Sequence, residues 1–271
     1  MLIVYSPECM GYETPGHPES PERVRRIYEI LKGYGFRFEG AEPAKKEDIL
    51  LAHTREHFEK IKSRNYSDAE TPPIDIRFPL LAAGVTIKAG RKLGFALTRP
   101  PGHHAGRNSL EGFCYFNNIA IAVKRLDKKT AILDIDVHHG NGTQDIFLGD
   151  KGVLYVSLHQ SPLYPMTGLS SEKNCHNFPL FPDTKETDYL KTLEKALEIV
   201  KRFRPEILAV SVGFDTYKGD PLAGQSVTED GYEKIGRMIS GLNLPAFMAL
   251  EGGYSDKIGE LCCRFLTGLE F

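Results

Sequence analysis

The chain has 271 residues, 41% of them hydrophobic and 26% charged, with a formal net charge of −2. It is long enough to bury the core of one large α/β domain or two small ones, and its near-neutral balance excludes a global basic field for nucleic acid or acidic membrane. Cys9, Cys114, Cys175, Cys262 and Cys263 form no CxxC pair, which argues against a disulfide framework or a thiolate zinc site and fits a reducing cytoplasm. In chain order, LIVY (2–5) predicts a buried strand. The opening apolar run lacks a basic flank and reads as no signal peptide, and no stretch has the roughly 20 apolar residues of a membrane span. SPERVRRIYEILKGYG (20–35) predicts a helix with Ser20 as N-cap, Pro21 in its first turn and Gly33 or Gly35 at its end. The polar stretch 63–78 predicts a loop. TAILDID (130–136) and VLYVSL (153–158) predict buried strands, TDYLKTLEKALEIVKRF (187–203) an amphipathic helix, and EILAVSVG (206–213) and PAFMALEGG (245–253) two more strands. This alternation implies a mostly parallel sheet covered on both faces, with ligands beyond the carboxyl ends of its strands.

Polar residues collect at those ends. In DIDVHHG the residues Asp134, Asp136 and His138 take every second position, so an extended chain points them one way. Buried carboxylates this close stay ionised only when cations or hydrogen bonds compensate them, and a metal ion is the economical solution. Asp215 follows the strand VSVG and can join Asp136 and His138 if the two strand ends are neighbours; Asp220, before Pro221, reads as a loop cap. One His and two Asp leave coordination positions open, the mark of a catalytic site for a divalent ion such as Zn²⁺, with Fe²⁺ also compatible. In RPPGHHA, His103 and His104 follow a rigid turn and are candidate ligands or bases. Asp134 could orient one imidazole. Gly252 and Gly253 place Tyr254 at a strand end, where its hydroxyl could donate to an oxyanion. Phe113 and Phe116 are candidate channel walls, and Cys114 reads as a buried thiol.

Together, HPESPER (17–23), RPPGHHA (99–105), GFCYFNNIAIA (112–122), DIDVHHGNGTQDIF (134–147), YVSLHQ (155–160), VSVGFDTYKGDPLAG (210–224) and LEGGY (250–254) resemble the histone deacetylase family, with its acetoin-utilisation proteins and acetylpolyamine amidohydrolases. The resemblance implies the arginase/deacetylase fold in a single domain over 1–271, a mostly parallel sheet of about eight strands flanked by helices. It implies zinc-dependent hydrolysis of an N-acyl, typically N-acetyl, amide such as acetyl-lysine or an acetylated small amine. By position it assigns Zn²⁺ to Asp136, His138 and Asp215, the general base to His104, its tandem partner to His103 buttressed by Asp134, and carbonyl polarisation to Tyr254. It also implies a K⁺ site from the backbone carbonyls of Asp134, Asp136, His138 and Leu158 with the Ser157 hydroxyl. Gly112, Phe113 and Tyr164 match the walls around the substrate, Glu70 an acidic rim residue, and Arg23 an acetate exit channel. Asn141 stands where class I members carry Asp, a class II feature. The short segment after Tyr164 predicts an open mouth.

Two other readings remain at this level. An arginase-like ureohydrolase would need a Mn²⁺ pair and a DxHxD pattern, which the sequence lacks. A binding or sensing protein for acyl amines would be free to lose His104 or Tyr254, and both are present. Nothing in the sequence points to nucleic acid, and the oligomeric state is open.

Overall fold

The runs TAILD and ILAVSV are buried at every position, as strands covered on both faces must be. They belong to a computed structural model that describes residues 1–68 and 70–269. Its strands are β1 (Leu2–Tyr5), β2 (Arg37–Glu39), β3 (Phe95–Leu97), β4 (Thr130–Asp134), β5 (Val153–Gln160), β6 (Cys175–Leu180), β7 (Ile207–Val212) and β8 (Ala246–Leu250). The helices are α1 (Pro21–Gly33), α2 (Lys46–Ile49), α3 (Arg55–Ser63), α4 (Arg77–Lys92), α5 (Asn118–Leu126), α6 (Asn141–Phe147), α7 (Glu186–Phe203), α8 (Glu229–Ser240) and α9 (Ile258–Leu269).

The strands form one eight-stranded sheet in the order β2-β1-β3-β8-β7-β4-β5-β6, and every named pairing is parallel. The chain lays down β1 to β3, skips outward to build β4 to β6, and returns to fill the gap between β3 and β4 with β8 and β7. Such a change of direction leaves a crevice beyond the carboxyl ends of the central strands. Helices α4 and α5 pack together against the sheet, while α1 and α8 both pack on α9. Helix α7 shows the rule that builds these layers: Tyr189, Leu193, Ala196, Leu197 and Val200 form its buried stripe.

The expected elements are present with shifted ends. Ser20 occupies the N-cap position of α1 but makes no side-chain cap bond. The loop expected over 63–78 extends from the end of α3 to the start of α4 at Arg77, with residue 69 outside the described residues. The strand expected to reach Asp136 stops at Asp134. The Asp134 Oδ1 accepts the Asp136 N–H at 3.2 Å, and the Asp136 Oδ1 accepts the His138 N–H at 2.9 Å. These local side-chain bonds compete with the sheet ladder for the backbone and turn the chain into the crevice. All five cysteines are buried.

Candidate active site

Two strand ends deliver the cluster. The segment after β4 carries Asp136 and His138, and the segment after β7 carries Asp215. Their candidate ligand atoms lie within 4.8 Å of one another. The His138 Nδ1 sits 3.0 Å from Asp136 Oδ1 and 3.3 Å from Asp215 Oδ2. The backbone fixes both Asp136 oxygens, Oδ1 through the His138 N–H and Oδ2 through the Gly252 N–H at 2.7 Å, but only one of Asp215, Oδ1, through the Val137 N–H at 2.9 Å. The remaining Asp215 Oδ2 is buried without a hydrogen bond. A Cβ on Gly252 would collide with both Asp215 Oδ2 and Asp136 Oδ2, so only glycine lets the chain after β8 close over the carboxylates. Burial, then the Asp136 charge, push the Asp215 carboxyl above its ordinary range. Burial works on Asp136 in the same direction, but His103 and His138 outweigh it and hold Asp136 low. An orphaned oxygen and crowded carboxylates facing one imidazole nitrogen fit a divalent cation.

The tandem histidines lie beside this cluster, with rings 4.0 Å apart, yet their partners differ. The His103 Nδ1 faces Asp134 Oδ2 at 3.1 Å, and that oxygen also accepts the Tyr155 hydroxyl at 3.0 Å. Burial would lower the His103 pKa, but Asp136 and Asp134 overcome it and, on the protein's own charges, raise it to about 10. The His104 Nδ1 faces Asn141 Oδ1 at 2.7 Å. With an amide as partner, burial and the neighbouring His103 and His138 rings drive His104 well below the usual histidine range. The carboxylate behind His103 favours its protonated form, and the amide behind His104 offers no such charge.

The histidines His103, His104 and His138 line a cavity of about 390 Å³, together with Gly112, Phe113, Tyr164 and Tyr254. Phe113 meets Tyr254 edge to face at 5.9 Å, and burial raises the Tyr254 phenol far above its ordinary value, which keeps it a proton donor. Glu70, exposed, also lines the cavity, and its backbone carbonyl accepts from His17 Nε2 at 3.0 Å. Phe116, the other candidate wall, is instead a core residue that packs on His53 and Phe58. Asp220 caps its loop through the Leu222 N–H and also accepts the Tyr254 N–H at 2.7 Å. Register pairs Asp134 with Ser157 across β4 and β5, and the Ser157 hydroxyl bonds the His159 ring at 2.9 Å. His139 bonds Thr167 and Gln144.

Sequence reasoning missed four acids and bases. Glu251 directly follows β8; its Oε2 accepts the Gly102 and His103 N–H groups and its Oε1 the Ser211 hydroxyl, so it anchors the tandem-histidine loop. Burial lifts its pKa to about 7. An acid closing the apolar run AFMAL was the available signal. Glu19 and Arg99 form a wholly buried ion pair at 2.7 Å, although both lie in quoted motifs. Arg23, expected near an exit channel, donates to the Gly253 carbonyl at 2.6 Å and to Glu19. Glu111 receives the Asn141 amide and the Tyr164 hydroxyl, and no local pattern announced it.

A model described as the histone deacetylase domain matches residues 17–268. The chain belongs to the histone deacetylase family. A relative in Archaeoglobus fulgidus, named a probable deacetylase, is 37% identical over 291 residues, 93% of this chain and 81% of its own. Among solved structures, the HDA15 HD domain superposes with a TM-score of 0.91 at 31% identity, covering 98% of this chain and 87% of that one. The acetylpolyamine aminohydrolase from Burkholderia pseudomallei gives 0.89 at 25% identity over 99% of this chain and 98% of its own. The sheet expected from the family resemblance is the sheet observed. Among the described residues, no helix is long and apolar enough to cross a membrane.

Proposed function

We propose that this family member, acting as one catalytic unit over residues 1–271, is a metal-dependent deacetylase that hydrolyses an N-acetyl amide, releasing acetate and a free amine. The observation that carries the reading is the split between the two histidine partners beside a three-residue cation cluster: Asp134 behind His103, Asn141 behind His104. Bound by Asp136, His138 and Asp215, a divalent ion, with Zn²⁺ the first choice and Fe²⁺ the second, would supply Lewis acidity toward the acyl carbonyl and toward water.

The chain's own residues do the rest. Neutral His104 presents Nε2 to take the proton from the attacking water. The Tyr254 hydroxyl donates to the oxygen of the acyl group as charge builds on it. His103, cationic beside Asp134, holds a proton that the departing amine nitrogen needs. Phe113, Gly112 and Tyr164 line a slot suited to a linear alkyl stem, and Glu70 at its rim would attract an amine or a peptide backbone. K⁺ held by the carbonyls of Asp134, Asp136, His138 and Leu158 with the Ser157 hydroxyl would steady the same segment from behind. A cytoplasmic location and acetyl-lysine or acetylated small amines as substrates complete the reading.

The test is turnover of the zinc-loaded chain on acetyl-lysine peptide, acetylpolyamine and longer acyl-lysines, with His104→Ala beside it. Zinc-dependent release of acetate that His104→Ala abolishes is expected. Activity that survives complete stripping of the metal would overturn the reading.

A further inference from the structure

Asn141 poses a problem that an aspartate would not. Its amide has two ends of nearly the same shape, and only one orientation suits a base at His104. With Oδ1 toward the ring, as found at 2.7 Å, the imidazole carries its proton on Nδ1 and leaves the Nε2 lone pair for the pocket. With the NH₂ toward the ring, the proton must sit on Nε2, where it blocks that role. The chain therefore needs something that distinguishes the two ends of the amide.

Glu111 does so. Its Oε1 lies 2.7 Å from Asn141 Nδ2, and its Oε2 accepts the Tyr164 hydroxyl at 3.2 Å. Flipping the amide would press its oxygen against a carboxyl oxygen at hydrogen-bond distance, exchanging a charge-assisted bond for repulsion. The carboxyl group is itself held still. Glu111 opens a tight turn in which the Cys114 N–H donates to the Glu111 carbonyl at 3.0 Å. Gly112 (φ 56°) and Phe113 (φ 69°) are both left-handed in that turn, and the Phe113 N–H is tied to Thr71 Oγ1 at 3.1 Å. A Cβ on Gly112 would strike the His104 ring, so the turn also packs directly on the base.

We propose that Glu111 is a positioning residue for His104: by accepting the Asn141 amide it fixes that amide's orientation, and so fixes the imidazole tautomer that leaves Nε2 free. This rests on the deacetylase reading for its consequence in turnover, but not for the tautomer itself. Glu111 thus does indirectly what a carboxylate at 141 would do directly.

The test is a double-mutant cycle on the metal-loaded chain. Glu111→Met keeps the volume without the acceptor, and Glu111→Ala is the backup should Met fail to fold. Either change should lower kcat on acetyl-lysine peptide by about 10- to 100-fold, with KM nearly constant. In an Asn141→Asp background the same change should cost nothing further, because either Asp oxygen accepts and no orientation needs fixing. Tyr164→Phe, which cuts the other Glu111 bond, should act on KM more than on kcat. The ring ¹⁵N shifts of His104 should report the Nδ1–H tautomer in the parent and a mixture in Glu111→Met. An equal loss in both backgrounds, or a Tyr164→Phe variant that reproduces the fall in kcat, would overturn the proposal in favour of a pocket-wall role. If the parent turns over no acetylated amine, the deacetylase reading fails by itself. The ¹⁵N tautomer then decides on Glu111, and an unchanged tautomer in Glu111→Met rejects it.

Discussion

Two buried charge clusters lie within a few residues of each other, and they balance in opposite ways. In the first, the Arg99 guanidinium forks onto both Glu19 oxygens and donates to the Tyr12 carbonyl, while the Tyr12 hydroxyl donates to Glu19. The Tyr12 ring lies 3.6 Å from the guanidinium carbon, and Arg23 adds a further donor to Glu19. Each charged group there is hydrogen-bonded within the chain, Arg99 and Arg23 sharing Glu19 and Arg23 also reaching the Gly253 and Glu251 carbonyls. In the second cluster, Asp134, Asp136, Asp215 and Glu251 gather around His103 and His138, and Asp215 Oδ2 faces the His138 ring without a hydrogen bond. Burial raises the same desolvation cost in both. The closed cluster is architecture. The open one leaves a buried carboxylate oxygen without a hydrogen bond, and that deficit, more than the number of charged groups, distinguishes a candidate site from a staple.

The largest effect should come from the open cluster. Asp215→Ala should bring turnover below detection. Added Zn²⁺ should raise the melting temperature of the parent, by about 2.7 kcal/mol of stabilisation at a hundredfold excess over Kd, and leave the variant unmoved. A variant that still gains stability from the ion would break the comparison. In the closed cluster, Arg99→Met strands a buried carboxylate, and denaturant unfolding should show a loss of about 3–5 kcal/mol. Pairing it with Glu19→Leu should recover part of that loss, since the carboxylate is gone and Arg23 keeps the Gly253 and Glu251 carbonyls. Tyr254→Phe removes one donor to the reacting oxygen and should lower kcat by about 10²- to 10³-fold with little change in folding stability.

The smallest effect is a pH dependence. Burial favours the protonated form of Glu19, but Arg99 outweighs it and holds the carboxyl below its ordinary range. The unfolded chain therefore takes up this proton first as pH falls. The contribution of Glu19 to stability is complete above the ordinary glutamate range and is lost as pH drops through the depressed folded value. Denaturant midpoints measured from pH 7 downward should fall less steeply in Glu19→Gln than in the parent, and parallel curves would show that the pair is not what holds Glu19.

The fold was largely legible because its central strands are unbroken apolar runs and its long helices carry a clear stripe. The short strands β2 and β3 and edge strand β6 offered no such run. Within the site, residues that repeat at spacing two after β4, or stand next to one another as His103 and His104 do, could be found from one dimension. The spacing was informative for a reason different from the one it suggested: Asp136 and His138 lie past the end of the strand, turned inward by the carboxylates' own bonds to the backbone. Glu111, Glu251 and the Glu19–Arg99 pair escaped because their partners are remote in sequence. The 80 residues separating Glu19 from Arg99, like the 30 between Glu111 and Asn141, hold no periodic pattern that links them.

The strand order bears on how the molecule comes into being. Since β7 and β8 are the last strands made and occupy the middle of the sheet, a nascent chain emerging from the ribosome holds β3 and β4 with no lasting neighbours on their facing edges. Asp136 and His138 are synthesised early but gain Asp215 and the Gly252 N–H only when the final third has emerged. Maturation of the centre is thus tied to synthesis of β7 and β8, and a product interrupted before them offers two open edges suited to mispairing or to a chaperone.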